Sequence, residues 1–304
     1  MNKTVFAALA TLALAIATPA PAASPRDKVL VEPAWLAQHL KDKDLVILQV
    51  GDKPAYDAGH IPGAQLIALP TLAAAPSGPD ALTLEMLDAP TLHDRLAAMG
   101  VSNSSHVVVV HGADGIQSAT RVVFTLDAAG LGDHTQLLDG GLPAWKKEGR
   151  PTTTEVPSVT PGKLAPLKMK PLVVDADFVK AHLNAPGYSI VDARAPAFYS
   201  GEMKGGGAQR PHKPGHIAGA KSVPFNQITS PDLRLLSAAE LEARFKAAGV
   251  NKGDTVVTYC HVGQQASATL LAARSLGYKV LLYDGSYEDW SRKDGATEPS
   301  APAK

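Results

Sequence analysis

Cysteine is nearly absent from this sequence, and the sequence has no excess of positive or negative charge. One cysteine in 304 residues excludes an intramolecular disulfide and any cysteine-rich zinc or iron–sulfur site. The 29 Lys and Arg residues balance 29 Asp and Glu residues, so the net charge gives no reason to expect binding to nucleic acid or an anionic membrane surface. A hydrophobic content of 45% with 19% charged residues is typical of a globular protein, and the length predicts about two domains.

Long hydrophobic runs are equally scarce, since only the N-terminus has one. Lys3 precedes the apolar run Val5–Ala17, which is too short to span a bilayer, and Ala20-Pro21-Ala22 follows as a small-residue cleavage site. We therefore predict a secretory signal peptide at residues 1–22 and export to a bacterial periplasm, with no membrane association after cleavage. A retained N-terminal anchor is the alternative. In that oxidising compartment a lone cysteine is either buried and inert or a thiol kept for chemistry.

The rest of the chain repeats itself. Gly59–Ala64 reads GHIPGA and reappears as GHIAGA at Gly215–Ala220. Two further landmarks follow in the same order, a Gly-Val pair before an apolar run and an Asp-Gly segment followed by Trp. In the first half they stand at Gly100 and Leu138–Trp145, and in the second half at Gly249 and Tyr283–Trp290. The offsets of 156, 149 and 145 residues are too long for a solenoid, so they predict one fold used twice.

Within each half, short apolar runs rich in β-branched residues alternate with helical patterns. Continuous apolar character suits strands buried on both faces of a parallel sheet, and the alternation predicts an α/β fold with helices on both faces. The predicted strands are Leu45–Val50, Val107–Val110, Thr135–Leu138, Tyr188–Asp192, Thr255–Tyr259 and Lys279–Tyr283. The predicted helices are Pro33–Leu40, Thr91–Met99, Ile116–Ala129, Ala176–Leu183, Ala238–Ala248 and Gln265–Leu276. Ser237 and Glu240 form a predicted capping box before Ala238.

Composition also predicts the domain boundaries. A stretch rich in Pro and Thr separates the halves and predicts an extended linker at 152–170. Within it, Leu164–Met169 is a candidate opening strand of the second half. We predict a cysteine-free domain at 23–151, a cysteine-bearing domain at 171–297 and a disordered tail at 298–304.

The single cysteine stands at the end of a predicted strand. Cys260 follows Thr255–Tyr259, and a short loop with Gly263 leads from it into an apolar helix. Ligands of doubly wound sheets bind at the carboxyl ends of the strands, where loop N–H groups and a helix N-terminus favour an anion and lower the pKa of a thiol. We therefore expect a reactive thiol. The alternative, a cysteine that only fills the core, is more typical of positions inside a strand or helix.

The same loop disfavours one related chemistry. Cysteine phosphatases bind a phosphoryl group with a Cys and an Arg six positions later, whereas the sixth residue after Cys260 is Ala266, and the loop contains neither Arg nor Lys. A phosphate dianion would lack its bidentate partner. A single sulfur atom therefore suits this loop better than a phosphoryl group.

Together these features resemble a tandem-domain rhodanese, a periplasmic sulfurtransferase. The resemblance spans nearly all of the chain after the signal, and it rests on the Cys-x-x-Gly-x-x-Ala loop, Asp192-Ala193-Arg194 at a strand end and the repeated segments. It implies two tandem rhodanese-like domains, each a mainly parallel sheet with helices on both faces, and a substrate cleft between them. It implies a catalytic second domain with the site loop Cys260, His261, Val262, Gly263, Gln264, Gln265 and Ala266.

The first domain departs from this pattern at the same positions. The counterpart of Cys260 is His111 or Gly112, and Gln49-Val50-Gly51 replaces the Asp-x-Arg segment. Neither residue can carry sulfane sulfur. We therefore expect the first domain to be non-catalytic and to form one wall of the cleft.

The resemblance also implies a reaction. Sulfane sulfur would pass from thiosulfate to cyanide or a thiol through a Cys260 persulfide, with no metal and no organic cofactor. 3-Mercaptopyruvate is the alternative donor. A further alternative is a persulfide carrier that acts with a protein partner, such as a periplasmic thiol protein.

Departures from the family leave the donor open. Val262 stands where thiosulfate-type loops carry Lys, Phe198 stands where they carry a further Arg, and Gln264-Gln265 replaces the Val-Thr ending of mercaptopyruvate-type loops. By resemblance, Asp192 and Arg194 support the site or bind an anion. A purely structural ion pair is the alternative.

An inserted segment, Lys204–Lys213, is a candidate source of the missing cations. Its glycines allow mobility, and Lys204, Arg210 or Lys213 could reach the cleft; a solvated loop is the alternative. Thiosulfate is favoured because an anionic donor would use these charges. His261 either raises the local positive potential or faces solvent.

Overall fold

The computed structural model describes residues 24–78, 80–207, 211–293 and 295–298, so the predicted signal peptide lies outside the described residues. The strands are β1 (Leu30–Val31), β2 (Leu45–Val50), β3 (Ala64–Ile67), β4 (His106–His111), β5 (Thr135–Leu138), β6 (Val173–Val174), β7 (Tyr188–Asp192), β8 (His216–Ile217), β9 (Lys221–Ser222), β10 (Thr255–Tyr259), β11 (Lys279–Tyr283) and β12 (Thr297–Glu298). The α-helices are α1 (Pro33–His39), α2 (Lys53–Asp57), α3 (Ala89–Ala98), α4 (Gln117–Leu126), α5 (Gly141–Lys147), α6 (Ala176–His182), α7 (Pro196–Ser200), α8 (Ala238–Ala247), α9 (Gln264–Ser275) and α10 (Ser286–Arg292).

Each half of the chain builds one five-stranded parallel sheet. The strand order is β1-β5-β4-β2-β3 in the first half and β6-β11-β10-β7-β9 in the second. Successive residues of β10 pack into different cores, since Val256 joins one apolar cluster and Val257 the other, as expected for a strand covered on both faces. The tandem α/β fold predicted from the sequence is confirmed, with β4 and β10 as equivalent central strands.

The apolar runs predicted the central strands closely. Five of the six predicted strands have the predicted bounds, and β4 is one residue longer at each end. The Ser237–Glu240 capping box is present, with the Ser237 N–H donating to the Glu240 carboxylate at 2.9 Å. Two-residue strands such as β6 carry too little pattern to be seen in the sequence.

The linker differs from its prediction in one respect. Leu164–Met169 is extended but is not a strand; the opening strand is Val173–Val174. The segment instead lies along the first domain, where the Ala165 N–H donates to the side-chain amide oxygen of Asn103 at 2.7 Å. Leu164 packs against the main core. Packing against the neighbouring core therefore replaces sheet pairing here.

The C-terminal end also differs. Thr297–Glu298 forms β12, which pairs antiparallel with β8, so Glu298 belongs to the second domain and not to the predicted tail. The rest of that predicted tail, 299–304, lies outside the described residues. Across the ranges given above, no helix is both long and apolar enough to cross a bilayer.

The two domains meet through equivalent elements. Helices α4 and α9, which follow the central strands, pack on each other, and the Thr120 and Ser267 hydroxyls lie 2.9 Å apart at their contact. Each domain also receives a backbone N–H from the other on the Asp of its Asp-Gly segment. Asp284 accepts from Met86 at 3.1 Å, and Asp139 accepts from Leu235 at 2.8 Å. The interface is therefore nearly two-fold symmetric.

Candidate active site

Cys260 lies at the carboxyl end of β10, where four backbone N–H groups are directed at its sulfur. They belong to Val262, Gly263, Gln265 and Ala266. Gly263 turns the chain with a φ of +79°, a conformation that favours glycine, and α9 begins at the next residue, one position earlier than predicted. Four donors that converge on one atom form a cradle for an anion. We call this loop and first helical turn the cradle.

The cradle does not lower the pKa of the thiol. Cys260 is 0% exposed, and burial raises its pKa above the ordinary value although the four N–H groups oppose that shift. The expected lowering is therefore wrong, because desolvation of the thiolate outweighs the loop dipoles. The dipoles are nevertheless in place for an anion that forms there.

Helix α10 holds the cradle from one side. The Cys260 N–H donates to the Ser286 hydroxyl at 3.2 Å, and the Tyr287 N–H donates to the Cys260 carbonyl at 2.9 Å. Ser286 has a φ of +52°, matching its counterpart Gly141 at +54°. A non-glycine residue in this left-handed region is costly, so the packing around the cradle must hold Ser286 in place.

Arg121, in α4 of the first domain, holds the cradle from the other side. Its Nη1 donates to the Asp284 carboxylate and, at 3.3 Å, to the Gly263 carbonyl, while Nη2 donates to the Leu84 carbonyl at 2.7 Å. A Cβ added to Gly263 would lie 2.5 Å from Nη1. Sequence reasoning missed Arg121. The signal that could have found it is a charged residue inside an apolar helix, which needs a buried partner.

Asp192 and Arg194 form a buried ion pair behind the site. Arg194 donates to the Asp192 carboxylate through Nε at 3.0 Å and Nη2 at 2.6 Å, and through Nη2 to the Gly215 carbonyl at 2.8 Å. Its guanidinium carbon lies 3.9 Å from the centre of the Tyr287 ring. Burial disfavours the Arg194 charge, but the charge and hydrogen bonds of Asp192 outweigh it and raise the pKa of Arg194. The Nε–Nη2 edge of the Arg194 guanidinium is thus occupied by the Asp192 carboxylate.

His261 is half-buried and lies against two other rings. Its Nδ1 lies 3.5 Å from Nδ1 of His212, and the Phe198 ring meets it edge-on with 4.6 Å between ring centroids. Burial, the Arg194 charge and His212 lower the pKa of His261 to about 4, against a smaller opposing effect of Asp192. At neutral pH, His261 is therefore a neutral and partly exposed imidazole.

The insertion delivers His212 to the site, while its two described lysines lie elsewhere. Lys204 is exposed, and the Lys213 ammonium donates to the Lys293 carbonyl at 2.7 Å, beyond the end of α10. Arg210 lies outside the described residues. His212, which the sequence did not single out, is buried.

The equivalent position in the first domain holds His111. Gln49 pairs with Val110 as Asp192 pairs with Tyr259, so His111, and not Gly112, is the counterpart of Cys260. Its Nδ1 lies 2.8 Å from the Gly112 carbonyl, and burial lowers its pKa. A neutral, buried imidazole cannot carry sulfane sulfur.

Metal-binding groups are not assembled near this site. Within the described ranges, no three His, Cys, Asp or Glu side chains are placed to hold a metal ion. The chemistry of the cradle is that of a single cysteine, backbone dipoles and neutral imidazoles.

Both halves of the chain match the family model of the Rhodanese-like domain, at residues 32–148 and 175–293. The chain belongs to this family. Rhodanese-like domains are sulfurtransferases, which confirms the expected family and enzyme class and implies small sulfur donors and acceptors. The solved structure of YnjE has a TM-score of 0.79 and 24% identity, and the match covers 91% of this chain and 70% of YnjE, in agreement with the fold.

Curated relatives of this rhodanese-like chain cover nearly its full length. The sulfur carrier protein TtuD of Thermus thermophilus is 34% identical over 283 residues, 88% of this chain and 95% of TtuD. A putative thiosulfate sulfurtransferase of Synechococcus elongatus is 34% identical over 288 residues, 90% of this chain and 86% of that protein. A probable 3-mercaptopyruvate sulfurtransferase of Pseudomonas aeruginosa is 32% identical over 280 residues, 88% of this chain and 94% of that protein.

Proposed function

We propose that this protein is a thiosulfate sulfurtransferase that works through a persulfide on Cys260. The observation that carries the proposal is the cradle, in which four backbone N–H groups converge on one sulfur atom at the start of a 12-residue helix. Preorganised dipoles of this kind stabilise charge without a metal or a cofactor. The similarity to the putative thiosulfate sulfurtransferase of Synechococcus elongatus supports the choice of donor.

The reaction divides into two steps. The Cys260 thiolate attacks the outer sulfur of thiosulfate, a Cys–S bond to that sulfur forms, and the S–S bond of thiosulfate breaks as sulfite leaves with the electron pair. An acceptor such as cyanide then attacks the terminal sulfur of the persulfide. Thiocyanate leaves and the Cys260 thiolate is restored. Covalent catalysis of this type replaces one difficult transfer with two easier ones.

Two neighbouring functions use the same cradle. The relative of Pseudomonas aeruginosa named for 3-mercaptopyruvate supports that compound as the alternative donor. The relative named a sulfur carrier supports a relay function with a protein acceptor. Each alternative keeps the Cys260 persulfide and changes only what delivers or removes the sulfur.

We also propose export to the periplasm after cleavage at residues 1–22. The support is the sequence alone, namely Lys3, the short apolar run and the small residues at Ala20-Pro21-Ala22. The N-terminal residue of the protein purified from a periplasmic extract, read by mass spectrometry, tests this. Recovery of the intact chain from the cytoplasmic fraction would contradict it.

The donor comparison tests the central proposal. The wild type and Cys260→Ser are each incubated with thiosulfate or 3-mercaptopyruvate, and their intact masses are measured before and after cyanide is added. We expect one extra sulfur atom on the wild type with thiosulfate, its loss to thiocyanate with cyanide, and no change in Cys260→Ser. Sulfur added only by 3-mercaptopyruvate would identify that compound, and not thiosulfate, as the donor. Stoichiometric persulfide with slow turnover on cyanide would favour the carrier, and no added sulfur from either donor would overturn the proposal.

A further inference from the structure

The catalytic half contains residues that the first half lacks. Gly59 follows Gln49 by ten positions, whereas their counterparts Asp192 and Gly215 are 23 positions apart. The flanking structure is otherwise the same, because a Tyr ring stacks on the His of each Gly-His segment with 3.7 Å between ring centroids. The added residues therefore belong only to the half that carries the cysteine, and they bring His212 to the site.

The imidazoles of His212 and His261 lie side by side next to the cradle. Their Nδ1 atoms are 3.5 Å apart, and His212 is 5% exposed. The backbone of Gly205, also in the insertion, lies directly over them; a Cβ there would be 2.6 Å from Nδ1 of His261 and 3.1 Å from Nδ1 of His212. The Tyr287 ring meets the His212 ring edge-on, with centroids 5.9 Å apart. Gly205 and Tyr287, both in the catalytic domain, thus flank the pair.

An anionic donor needs positive charge near the cradle, and among the described residues the guanidinium groups of Arg194 and Arg121 are already engaged. Arg194 is paired with Asp192, and Arg121 is paired with Asp284 across the domain interface. Thiosulfate carries two negative charges throughout the neutral pH range, so it must meet a cation or leave its charges uncompensated. Two ring nitrogens 3.5 Å apart lie at the outer limit of hydrogen-bond distance, so a small approach of the two rings would let them share one proton when such an anion arrives.

We propose that His212 and His261 together take up one proton when the sulfur donor binds, and that the shared imidazolium is the cation that this site offers the donor. This inference rests on the proposed function. It explains how a loop with Val262 in the place of a lysine can bind an anion. It also explains why the second half, which carries the cysteine, has an insertion that brings His212 to His261.

The charges around the pair set its response to pH. Burial and the charge of Arg194 lower the pKa of both imidazoles, and Arg292 acts in the same direction on His212. Glu288 and Asp192 act in the opposite direction, Glu288 on His212 and Asp192 on His261. Together these groups favour the neutral form of the pair at neutral pH. A bound dianion adds negative charge and shifts the balance towards protonation.

Proton uptake on binding makes the affinity depend on pH. If one proton enters with each donor, the Kd for thiosulfate rises by nearly tenfold for each pH unit between the pKa of the free pair and the higher pKa of the occupied pair. A site that used Lys or Arg would bind equally well across the same range, because those side chains keep their charge. The sign of the effect is tighter binding at lower pH.

The experiment measures binding without turnover. Thiosulfate is titrated into Cys260→Ser by calorimetry at about pH 6, 7 and 8, in buffers of different ionisation enthalpy, so that Kd and the number of protons taken up are both obtained. The Cys260→Ser background removes the titration of the thiol. Four further variants in this background are His212→Gln, His261→Gln, His212→Lys and Arg210→Gln, and circular dichroism checks that each is folded.

We expect Cys260→Ser to take up close to one proton and to bind more weakly as pH rises. His212→Gln should abolish the uptake and weaken binding at the lowest pH by about tenfold or more, and His261→Gln should act in the same direction. His212→Lys should bind at all three pH values without uptake. A pH-independent Kd in Cys260→Ser, uptake that persists in both glutamine variants, or loss of affinity in Arg210→Gln but not in His212→Gln would overturn the proposal. If the wild type forms no persulfide from thiosulfate, the proposed function fails by its own measurement.

Discussion

Substituting Arg121 with Met should both destabilise the protein and loosen the cradle. The Arg121 and Asp284 side chains are 3% and 8% exposed, so removal of the guanidinium leaves a buried carboxylate without its charge partner. Breaking a buried pair in this way costs about 3–5 kcal/mol. At about 2–4 °C per kcal/mol for a protein of this size class, the Tm should fall by roughly 6–20 °C.

A matched control and a double variant separate the two effects. Arg234 also joins the domains, through Glu32 and Glu148, but it is 32% exposed, so Arg234→Met should cost about 1 kcal/mol or less. Arg121→Met combined with Asp284→Leu should recover much of the stability, because no unpaired charge is left. It should not recover the rate of persulfide formation, since the Gly263 carbonyl still lacks its donor.

Urea unfolding and single-turnover persulfide formation measure the two effects independently. If Arg121→Met loses no more stability than Arg234→Met, the buried Arg121–Asp284 pair contributes no more to the free energy of unfolding than an exposed pair does. If the double variant regains full activity with its stability, Arg121 holds the domains together but does not position the cradle.

Three further predictions follow from the cradle and its surroundings. Gly263→Ala should destabilise the protein clearly more than Gly187→Ala. Both glycines have a φ near +80°, but an added Cβ would lie 2.5 Å from Arg121 at Gly263, whereas at Gly187 it would meet nothing within 4 Å. Urea unfolding of the two variants tests this difference. At saturating thiosulfate, persulfide formation should speed up by about tenfold per pH unit until the thiol ionises, since burial raises the pKa of Cys260 above its ordinary value; a flat stopped-flow profile at neutral pH would contradict this. The pKa of His261 falls from 6.5 to about 4 on folding, so its contribution to stability is present above pH 6.5 and is lost as the pH falls towards 4. His261→Gln should therefore lose less stability than the wild type over that interval, and equal acid sensitivity in the two unfolding series would rule this out.

The parts of the site that a local pattern encodes were predictable. An apolar β-branched run, a Cys and a Gly before a helical pattern determine β10, the cradle and α9, because strand, turn and helix preferences act within a few residues. The repeat of the Gly-His segments likewise revealed two copies of one fold. These inferences needed no knowledge of which distant residues meet.

The residues missed in the sequence act over long range. Arg121 reaches Gly263 from 142 positions away, and His212 reaches His261 from 49 positions away. Neither contact leaves a periodic signal. The thiol pKa was also predicted in the wrong direction, because the sequence shows the dipoles of the loop but not how completely Cys260 is desolvated. Burial is a property of the assembled fold, so electrostatic predictions from local motifs omit their largest opposing effect.

The symmetry of the interface explains why a domain without chemistry is present. Each Asp-Gly segment is held by the other domain, with Asp139 accepting from Leu235 and Asp284 from Met86, so neither domain completes this turn alone. The symmetry is broken at Arg121, which pairs with Asp284 and also reaches the cradle. The first domain thus supplies a structural contact that the catalytic domain lacks within itself. The first domain therefore serves the catalytic one through its helix α4, although it contains no cysteine of its own.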